Sequence, residues 1–155
     1  MLEIRDEFPD SSTHKRLKRG RIRVEIARVT KQKLLLIDHS WIHTAATRLF
    51  LRETDLEIYT AQSGEDGIAQ ADAARPDLIL LDVQMPGIDG FETCRRIRTQ
   101  SWGTHVPIVI ASADIGARER DMGRAAGCTD FFQKPFDKQG LLALVQRYLD
   151  DGDSA

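Results

Sequence analysis

The sequence is poor in cysteine and has no long apolar run, and each shortage excludes a class of protein. Its two cysteines, Cys94 and Cys128, have neither a CxxC spacing nor the spacing of metal ligands. A disulfide-stabilised scaffold is therefore excluded, and we expect free, buried or half-buried thiols in a reducing cytoplasm. No apolar run approaches the roughly 18 residues that a membrane span needs, and residues 1–10 are too acidic for a signal peptide.

Loops that cradle nucleotides are also missing. The chain has no GxxxxGK(S/T) sequence and no GxGxxG after a strand, so no separate nucleotide site is predicted. What is present is an ordinary composition, 41% hydrophobic and 30% charged over 155 residues. Such a composition and length are typical of one soluble globular domain.

The net charge of -2 conceals an uneven distribution of charge along the chain. Nine lysines and arginines and one acid lie between residues 14 and 33, whereas 12 basic and 19 acidic residues follow, a difference of -7. The sequence therefore predicts a basic N-terminal extension, residues 1–32, joined to an acidic domain, residues 33–150, with a short tail at 151–155.

Several interpretations of the basic extension stay open. A solvated, mostly disordered tail is favoured, and loose electrostatic contact with nucleic acid, a membrane or a partner comes second. Translation starting downstream, at Val24 or Val29, would remove most of the extension. Specific DNA binding is disfavoured, because no aromatic residue lies between His14 and Lys33 to stack on bases and no helix-turn-helix is recognisable.

Five short segments of the acidic domain are typical of strands. Three of them are near-continuous apolar runs, as expected for parallel strands that are covered on both faces. The predicted strands are Lys33–Asp38, Leu56–Ala61, Leu78–Asp82, Val106–Ala111 and Asp130–Gln133. Because helix-length segments alternate with them, the sequence predicts a parallel, doubly wound α/β sheet with right-handed crossovers.

The first two helices are predicted to begin after serine N-caps, Ser40 and Ser63. In the first helix, residues at 3.6-residue spacing are expected to form the apolar stripe; they are Ile42, Ala45 and Leu49. We therefore expect this stripe to pack on the sheet.

The three later helices differ in the strength of their apolar pattern. The third is formed by Phe91, Cys94 and either Ile97 or Arg98. The fourth, near residues 117–126, is weakly amphipathic, and its expected core contacts are Met122, Ala125 and Ala126. The fifth starts at Asp137 and has a strong stripe, formed by Leu141, Leu144, Val145 and Tyr148. The weak fourth helix is expected to be loosely held, although a plain short surface helix explains it equally well.

Polar residues follow four of the predicted strands. Asp38 ends the first strand, Asp82 the third, Ser112 follows the fourth and Lys134 the fifth. In a parallel sheet the carboxyl ends of strands share one edge, where ligands bind. Two carboxylates suit Mg²⁺, an ammonium and a hydroxyl could hold an anion, and an aspartate there can be a nucleophile towards phosphorus. Each residue alone is a weak signal, but their joint occurrence predicts a site.

Sequence segments at these strand ends resemble the receiver domain of two-component response regulators. Leu78–Glu92, with the sequence LILLDVQMPGIDGFE, is similar to the phosphoacceptor strand and loop of that family. Ile110–Ala113 resembles the strand with the switch hydroxyl, and Phe132–Phe136 the strand with the family lysine. The resemblance covers residues 33–150 and implies a flavodoxin-like (βα)5 fold with strand order 2-1-3-4-5, as in stand-alone chemotaxis regulators.

The resemblance also implies a role for each residue of the predicted site. Asp82 would be the phosphoacceptor and a metal ligand, with Asp38 and the backbone carbonyl of Gln84 as further ligands of Mg²⁺. Ser112 would bond the phosphoryl group, and Lys134 would pair with its oxygens. Catalysis would thus rest on Asp82, Lys134 and Ser112, without any other cofactor.

Two positions need separate comment, His39 and Phe131. Family members usually have a second acid after the first strand, and here His39 stands in its place. Neutral imidazole is a poor ligand for Mg²⁺, so we expect weakened Mg²⁺ binding and slower phosphorylation. Whether His39 itself is a ligand stays open, as does Mn²⁺ in place of Mg²⁺. Phe131 occupies the aromatic switch position of that family. The resemblance implies that its side chain moves together with Ser112.

The function that the resemblance implies is phosphorelay signalling in the cytoplasm. A sensor histidine kinase or phosphotransfer protein would phosphorylate the chain, which would then control a downstream protein. We do not expect an enzyme, since self-dephosphorylation would only hydrolyse its own modification. The chain ends soon after the fifth helix, so a stand-alone receiver is expected.

Alternative functions and assemblies remain open. A degenerate receiver acting as a phosphorylation-independent interaction module is the principal alternative, and His39 is its best support. A flavodoxin-like cofactor binder is disfavoured, because the loop after the first strand lacks a phosphate-cradling sequence. The apolar arc of the fifth helix, including Leu142 and Leu149, would permit a phosphorylation-dependent dimer, although core packing explains most of it.

Overall fold

The structure is a computed structural model that describes residues 30–149. The C-terminal tail at 151–155, and the basic extension except for its last residues, lie outside the described residues. The predicted boundary between extension and domain therefore stays a prediction.

Five parallel strands form one sheet in the order β2-β1-β3-β4-β5. The strands are β1 (Lys33–Ile37), β2 (Glu57–Ala61), β3 (Leu78–Asp82), β4 (Ile108–Ser112) and β5 (Asp130–Gln133). This is the order of the predicted flavodoxin-like fold, which is therefore confirmed. The prediction placed the fourth strand two residues too early, at Val106. Pro107 precedes the strand because it has no N–H to donate and joins the ladder only through its carbonyl, which accepts from the N–H of Ile79 at 2.9 Å.

Five α-helices alternate with the strands. They are α1 (Trp41–Phe50), α2 (Gly64–Ala74), α3 (Gly90–Thr99), α4 (Ala117–Ala126) and α5 (Lys138–Leu149), with a short 3-10 turn at Ser101–Gly103. Side-chain oxygens of Ser40, Ser63 and Asp89 cap α1, α2 and α3 by accepting a backbone N–H three residues on. Asp137 does the same before α5, accepting from the N–H of Gly140 at 2.7 Å. The predicted caps Ser40 and Ser63 and the predicted start at Asp137 are confirmed.

The sheet is covered by one apolar cluster on each face. The first cluster holds Leu35, Ile79 and Ile110 together with Phe91, Cys94 and Ile97 of α3. The second holds alternate residues of the same strands together with the α5 residues Leu141, Leu144, Val145 and Leu149. Strands β1, β3 and β4 are thus buried on both faces, which explains their continuous apolar sequences.

The prediction for α1 was wrong about which face packs on the sheet. Ile42 and Leu49 are 60% and 57% exposed, and Ala45 is exposed too. The helix instead turns Thr47 inwards, and Leu51 at its C-cap is buried. Thr47 can be buried because its hydroxyl donates to the carbonyl of His43 at 2.8 Å, so no polar group is left without a partner.

The prediction for α4 was wrong about Ala125, which is exposed, and right about Ala126, which is buried. Met122 is partly buried against the first cluster. The helix also packs through Gly123, where an added Cβ would lie 2.4 Å from Cζ of Phe131. α4 therefore contacts β5 where the glycine leaves room for an aromatic ring.

The apolar arc of α5 is taken up by the core. Leu149 is buried, and Leu142 is partly buried against the same cluster. Tyr148 donates its hydroxyl to Asp130 at 2.6 Å, which ties the end of α5 to the start of β5. Burial and this hydrogen bond raise the pKa of Tyr148 to about 12. Core packing thus accounts for the residues that suggested a dimer.

One arginine joins three connections at the edge of the sheet opposite to the strand carboxyl ends. The guanidinium of Arg98 donates to the carbonyls of Gly127, Gly103 and Val106 at 2.8, 2.8 and 2.6 Å, and to the hydroxyl of Thr129 at 3.2 Å. The last turn of α3, the 3-10 turn and the end of α4 are therefore held by a single side chain.

Two of the predicted exclusions concern residues within 30–149. Each helix in that range falls short of the length and apolar content of a membrane span. Cys94 is buried and Cys128 half-buried, as predicted, and both are free thiols. Burial raises the pKa of the Cys94 thiol to about 11, so Cys94 stays protonated and unreactive near neutral pH.

Candidate functional site at the carboxyl edge of the sheet

The fold brings the predicted acids and the predicted lysine to one edge. Asp82 is the last residue of β3, and Asp38 follows the last residue of the neighbouring β1. Lys134 follows β5, and its N–H donates to the carbonyl of Ser112 at 2.8 Å, which fixes the chain beside β4. All three residues thus lie where parallel strands end.

Lys134 pairs with both carboxylates. Its ammonium nitrogen lies 2.7 Å from Oδ2 of Asp38 and 3.3 Å from Oδ1 of Asp82. The three side chains are only 14%, 13% and 9% exposed. Such removal from water strengthens the interaction between charges and makes any unpaired carboxylate costly. The predicted proximity of Asp82 and Lys134 is therefore found in the structure.

His39 reaches the second oxygen of Asp82. Its Nδ1 lies 3.1 Å from Oδ2 of Asp82 and 3.9 Å from Oδ1 of Asp38. Nδ1 and the Asp82 oxygen are thus within hydrogen-bonding distance of each other. The imidazole therefore occupies the place beside Asp82 that a second acid was expected to take.

A second imidazole, which the sequence analysis missed, borders the same pocket. Nδ1 of His43 lies 3.4 Å from Oδ2 of Asp38, and the side chain is 54% exposed. The backbone N–H of Ser40 donates to the other Asp38 oxygen at 2.8 Å. The sequence signal that could have pointed to His43 is its position in the first turn of a helix that begins at the site.

The ligand set fits a divalent cation. Asp38, His39 and Asp82 each offer one ligand atom, and these atoms all lie within 4.8 Å of one another. Two carboxylate oxygens are the donors that a hard cation such as Mg²⁺ prefers. Gln84, whose backbone carbonyl was predicted as a further ligand, lies two residues beyond β3 and is exposed. That assignment stays a prediction.

Ser112 lies at the same edge but turns its hydroxyl to its own loop. The hydroxyl donates to the carbonyl of Asp114 at 3.1 Å and accepts from the N–H of Asp114 at 3.2 Å. Ser112 is buried, and its neighbour Ala111 is paired with Asp82 across β3 and β4. The serine therefore lies beside the end of β3 without a hydrogen bond to the Asp82 carboxylate.

Phe131 is half-buried between β5 and α4. Its ring packs against the first apolar cluster and lies under the guanidinium of Arg120, whose carbon is 5.5 Å from the ring centroid. The predicted switch residue thus packs against α4 at Gly123 and Arg120.

Two glycines shape the loop that follows Asp82. Gly87 has a φ of +81°, a left-handed conformation that side chains with a Cβ rarely adopt. An added Cβ on Gly90 would lie 2.3 Å from the carbonyl oxygen of Asp82. Helix α3 can therefore begin in contact with the end of β3 only because residue 90 is glycine.

An open groove leads from the surface to Lys134. It runs between α1 and the connection from β5 to α5, and its lining is mainly apolar; the lining residues are His43, Ala46, Thr47, Phe50, Ala113, Lys134, Pro135 and Phe136. The groove thus gives access from the surface to the residue that pairs with both carboxylates.

Comparison with known proteins gives consistent matches over the described domain. Residues 34–146 match the family model of the response regulator receiver domain. Response regulator PleD of Caulobacter vibrioides is 35% identical over 114 residues, which are 74% of this chain and 25% of PleD. The chain thus spans about a quarter of the length of that relative.

Solved structures match in the same way. The chemotaxis protein CheY4 of Vibrio cholerae has a TM-score of 0.74 and 32% identity, over 77% of this chain and 100% of CheY4. The receiver domain of sensor histidine kinase PA1611 from Pseudomonas aeruginosa has a TM-score of 0.72 and 28% identity, over 78% of this chain and 99% of that one. That structure contains a magnesium ion coordinated in its active site cleft.

Proposed function

The chain belongs to the response regulator receiver domains, and from this membership we propose that it accepts a phosphoryl group on Asp82 and switches conformation to control a partner. One observation carries the proposal. The carboxylate of Asp82 is buried at the end of β3 with the ammonium of Lys134 3.3 Å from Oδ1. A nucleophilic carboxylate beside a fixed cation is the arrangement that attack on a phosphoryl group requires.

The proposed reaction is a direct phosphoryl transfer. The donor is a phosphohistidine of a sensor histidine kinase or of a phosphotransfer protein. An oxygen of Asp82 forms a bond to phosphorus, the bond from phosphorus to the donor nitrogen breaks, and its electron pair returns to the donor imidazole. Lys134 reduces the repulsion between the carboxylate and the incoming phosphoryl oxygens, because its charge is already placed between Asp38 and Asp82.

Asp38, Asp82 and the backbone carbonyl of Gln84 would hold the Mg²⁺ that this transfer requires. A divalent ion supplies charge neutralisation of the transferring phosphoryl group. The magnesium ion in the related PA1611 receiver structure supports this choice, and so do the two carboxylates whose ligand atoms lie within 4.8 Å of each other here. Because His39 replaces an acid, we expect the affinity for Mg²⁺ to be lower than in relatives with two adjacent acids.

The proposed switch connects Ser112 and Phe131. A phosphoryl group on Asp82 would present new acceptor oxygens, and the Ser112 hydroxyl would exchange its bond with the Asp114 carbonyl for one of them. The movement of Ser112 would vacate space towards which the ring of Phe131 could turn. The face around α4 and β5 would thus report the phosphorylation state to a downstream protein.

The test is treatment with a small-molecule phosphodonor in the presence of Mg²⁺, followed by intact-mass measurement and peptide mapping. Wild type should gain one phosphoryl group on the peptide that contains Asp82, and Asp82→Asn should gain none. Lys134→Met should be phosphorylated far more slowly, since the cation is lost while the side-chain length is kept. Modification of Asp82→Asn to the wild-type extent would contradict the proposal.

A second function is supported by the position of His39. Nδ1 of His39 lies 3.1 Å from Oδ2 of Asp82, so the imidazole takes up space in front of the carboxylate and would favour a module that binds its partner without phosphorylation. Wild type that stays unmodified with every phosphodonor and metal, yet retains its fold and binds its partner, would support this alternative. In either case we propose a cytoplasmic signalling protein that is not an enzyme; in the phosphorylated case it would hydrolyse only its own phosphoryl group.

A further inference from the structure

The cluster at the carboxyl edge differs from a purely acidic site by one nitrogen ligand. We infer that His39 is a metal ligand, and that Asp38, His39 and Asp82 together select a divalent transition ion, such as Co²⁺ or Ni²⁺, over Mg²⁺. This rests on the proposed metal-dependent function and names the metal class of that same site.

The backbone holds the imidazole at the metal position. His39 directly follows Asp38, and the next residue, Ser40, begins α1 as its N-cap. Nδ1 then lies 3.1 Å from an oxygen of Asp82 and 3.9 Å from an oxygen of Asp38. Since the three ligand atoms lie within 4.8 Å of one another, one ion of ordinary bond length can contact all of them.

The chemistry of the donor set decides which ion is preferred. Mg²⁺ prefers oxygen ligands in an octahedron and gives up its water reluctantly, so an imidazole adds little to its affinity. The transition ions from Mn²⁺ to Zn²⁺ gain more from a nitrogen ligand, in the order of the Irving–Williams series. Replacing one acid by His39 therefore lowers the affinity for Mg²⁺ and raises the relative affinity for Co²⁺ and Ni²⁺.

Coordination replaces a hydrogen bond that is present without metal. Nδ1 of His39 lies within hydrogen-bonding distance of Oδ2 of Asp82 in the absence of metal, and it can bind a cation in the tautomer that has its proton on Nε2. His39 is 47% exposed, so its ring can exchange that proton with solvent. The same two atoms that are hydrogen-bonded now become two ligands of one ion.

His43 does not belong to the set. Its Nδ1 lies 3.4 Å from Asp38, but the group of ligand atoms that lie within reach of one ion contains Asp38, His39 and Asp82 alone among the described residues. His43 is expected to orient Asp38 rather than to bind the metal.

The test compares metals by isothermal titration calorimetry in a His14→Ala, His105→Ala background, which removes the two histidines outside the site. Co²⁺ and Mg²⁺ are titrated into this parent and into its His39→Asp and His39→Ala derivatives. The parent should bind Co²⁺ at least about tenfold more tightly than the His39→Ala derivative does, with Mg²⁺ affinity unchanged between them. His39→Asp should bind Mg²⁺ more tightly than the parent and narrow the preference for Co²⁺.

The visible absorption spectrum of bound Co²⁺ gives an independent reading, because it responds to loss of a nitrogen ligand. Equal Co²⁺ affinity and an identical spectrum in the parent and the His39→Ala derivative would overturn the inference. Phosphorylation of Asp82 is measured separately by intact mass. If the protein binds Co²⁺ through His39 but is never phosphorylated, only the proposed function is contradicted. If it is phosphorylated but shows no preference for Co²⁺ that depends on His39, only the present inference is contradicted.

Discussion

Helices α1 and α4 each have ten residues and each begin at the carboxyl edge of the sheet, but they use their apolar residues in opposite ways. α1 exposes Trp41, Ile42 and Leu49. The residues that it turns towards the core are Thr47 and the leucine at the C-cap of the helix, Leu51. α4 has little apolar bulk, and it packs through Gly123 and Ala126. From this difference we expect the attachment of a helix to depend on the few residues that face the sheet rather than on its total apolar content.

Among substitutions that test this comparison, Leu51→Ala should cause the largest loss in the free energy of unfolding. Leu51 is 1% exposed at the end of α1, and truncating a buried leucine costs about 2–5 kcal/mol of unfolding free energy. Urea denaturation of the variant measures the loss. A loss below about 1 kcal/mol would mean that α1 is anchored elsewhere.

Gly123→Ala should cause the next largest loss in the free energy of unfolding. The added Cβ would lie 2.4 Å from Cζ of Phe131, and overpacking of this kind costs about 1–3 kcal/mol. Alanine by itself favours a helix by about 1 kcal/mol over glycine, so a more stable variant would contradict the described contact. Combining the substitution with Phe131→Leu should restore part of the lost stability, because the shorter side chain leaves room for the methyl group.

Arg120→Ala should have a smaller effect. Its guanidinium carbon lies 5.5 Å from the centroid of the Phe131 ring, and such a pair contributes about 0.5–1 kcal/mol at an exposed site. Arg118→Ala, which removes an equal charge from the same helix, is the matched control. An equal loss in both variants would assign the effect to charge rather than to the ring.

Leu49→Ala should have the smallest effect. Leu49 is 57% exposed, so the free energy of unfolding should change by less than about 0.5 kcal/mol. The same substitution at Leu51, two residues away, is its internal control. Similar losses at both positions would contradict the orientation of α1 described above.

Much of the fold and of the site could be predicted because the decisive signals are local. The apolar runs that end in Asp38 and Asp82 define two strands, and a parallel sheet places the carboxyl ends of its strands at one edge. Lys134 was predictable in the same way, from its position after β5. The order of the strands was not contained in the periodicity and came from the resemblance.

The errors concern properties that depend on a neighbour in space. In α1, the predicted stripe with Ile42 and Leu49 and the observed face with Thr47 are both consistent with helical spacing, and only packing against the sheet selects one. Gly123 could not be recognised as a packing residue from a hydrophobic pattern, because glycine has no side chain. The apolar group in this contact is the ring of Phe131. His43 was missed because its proximity to Asp38 depends on the direction in which α1 leaves the sheet.

The side chain of Arg98 has a mechanical consequence for α4. Its bonds to the carbonyl of Gly127 and to the neighbouring connections fasten the far end of that helix. If α4 moves when the protein switches, we expect the displacement to be smallest at Gly127, where these bonds hold the helix, and largest towards Gly116. The largest displacement would then occur next to the proposed phosphorylation site, with Arg98 as a distant pivot.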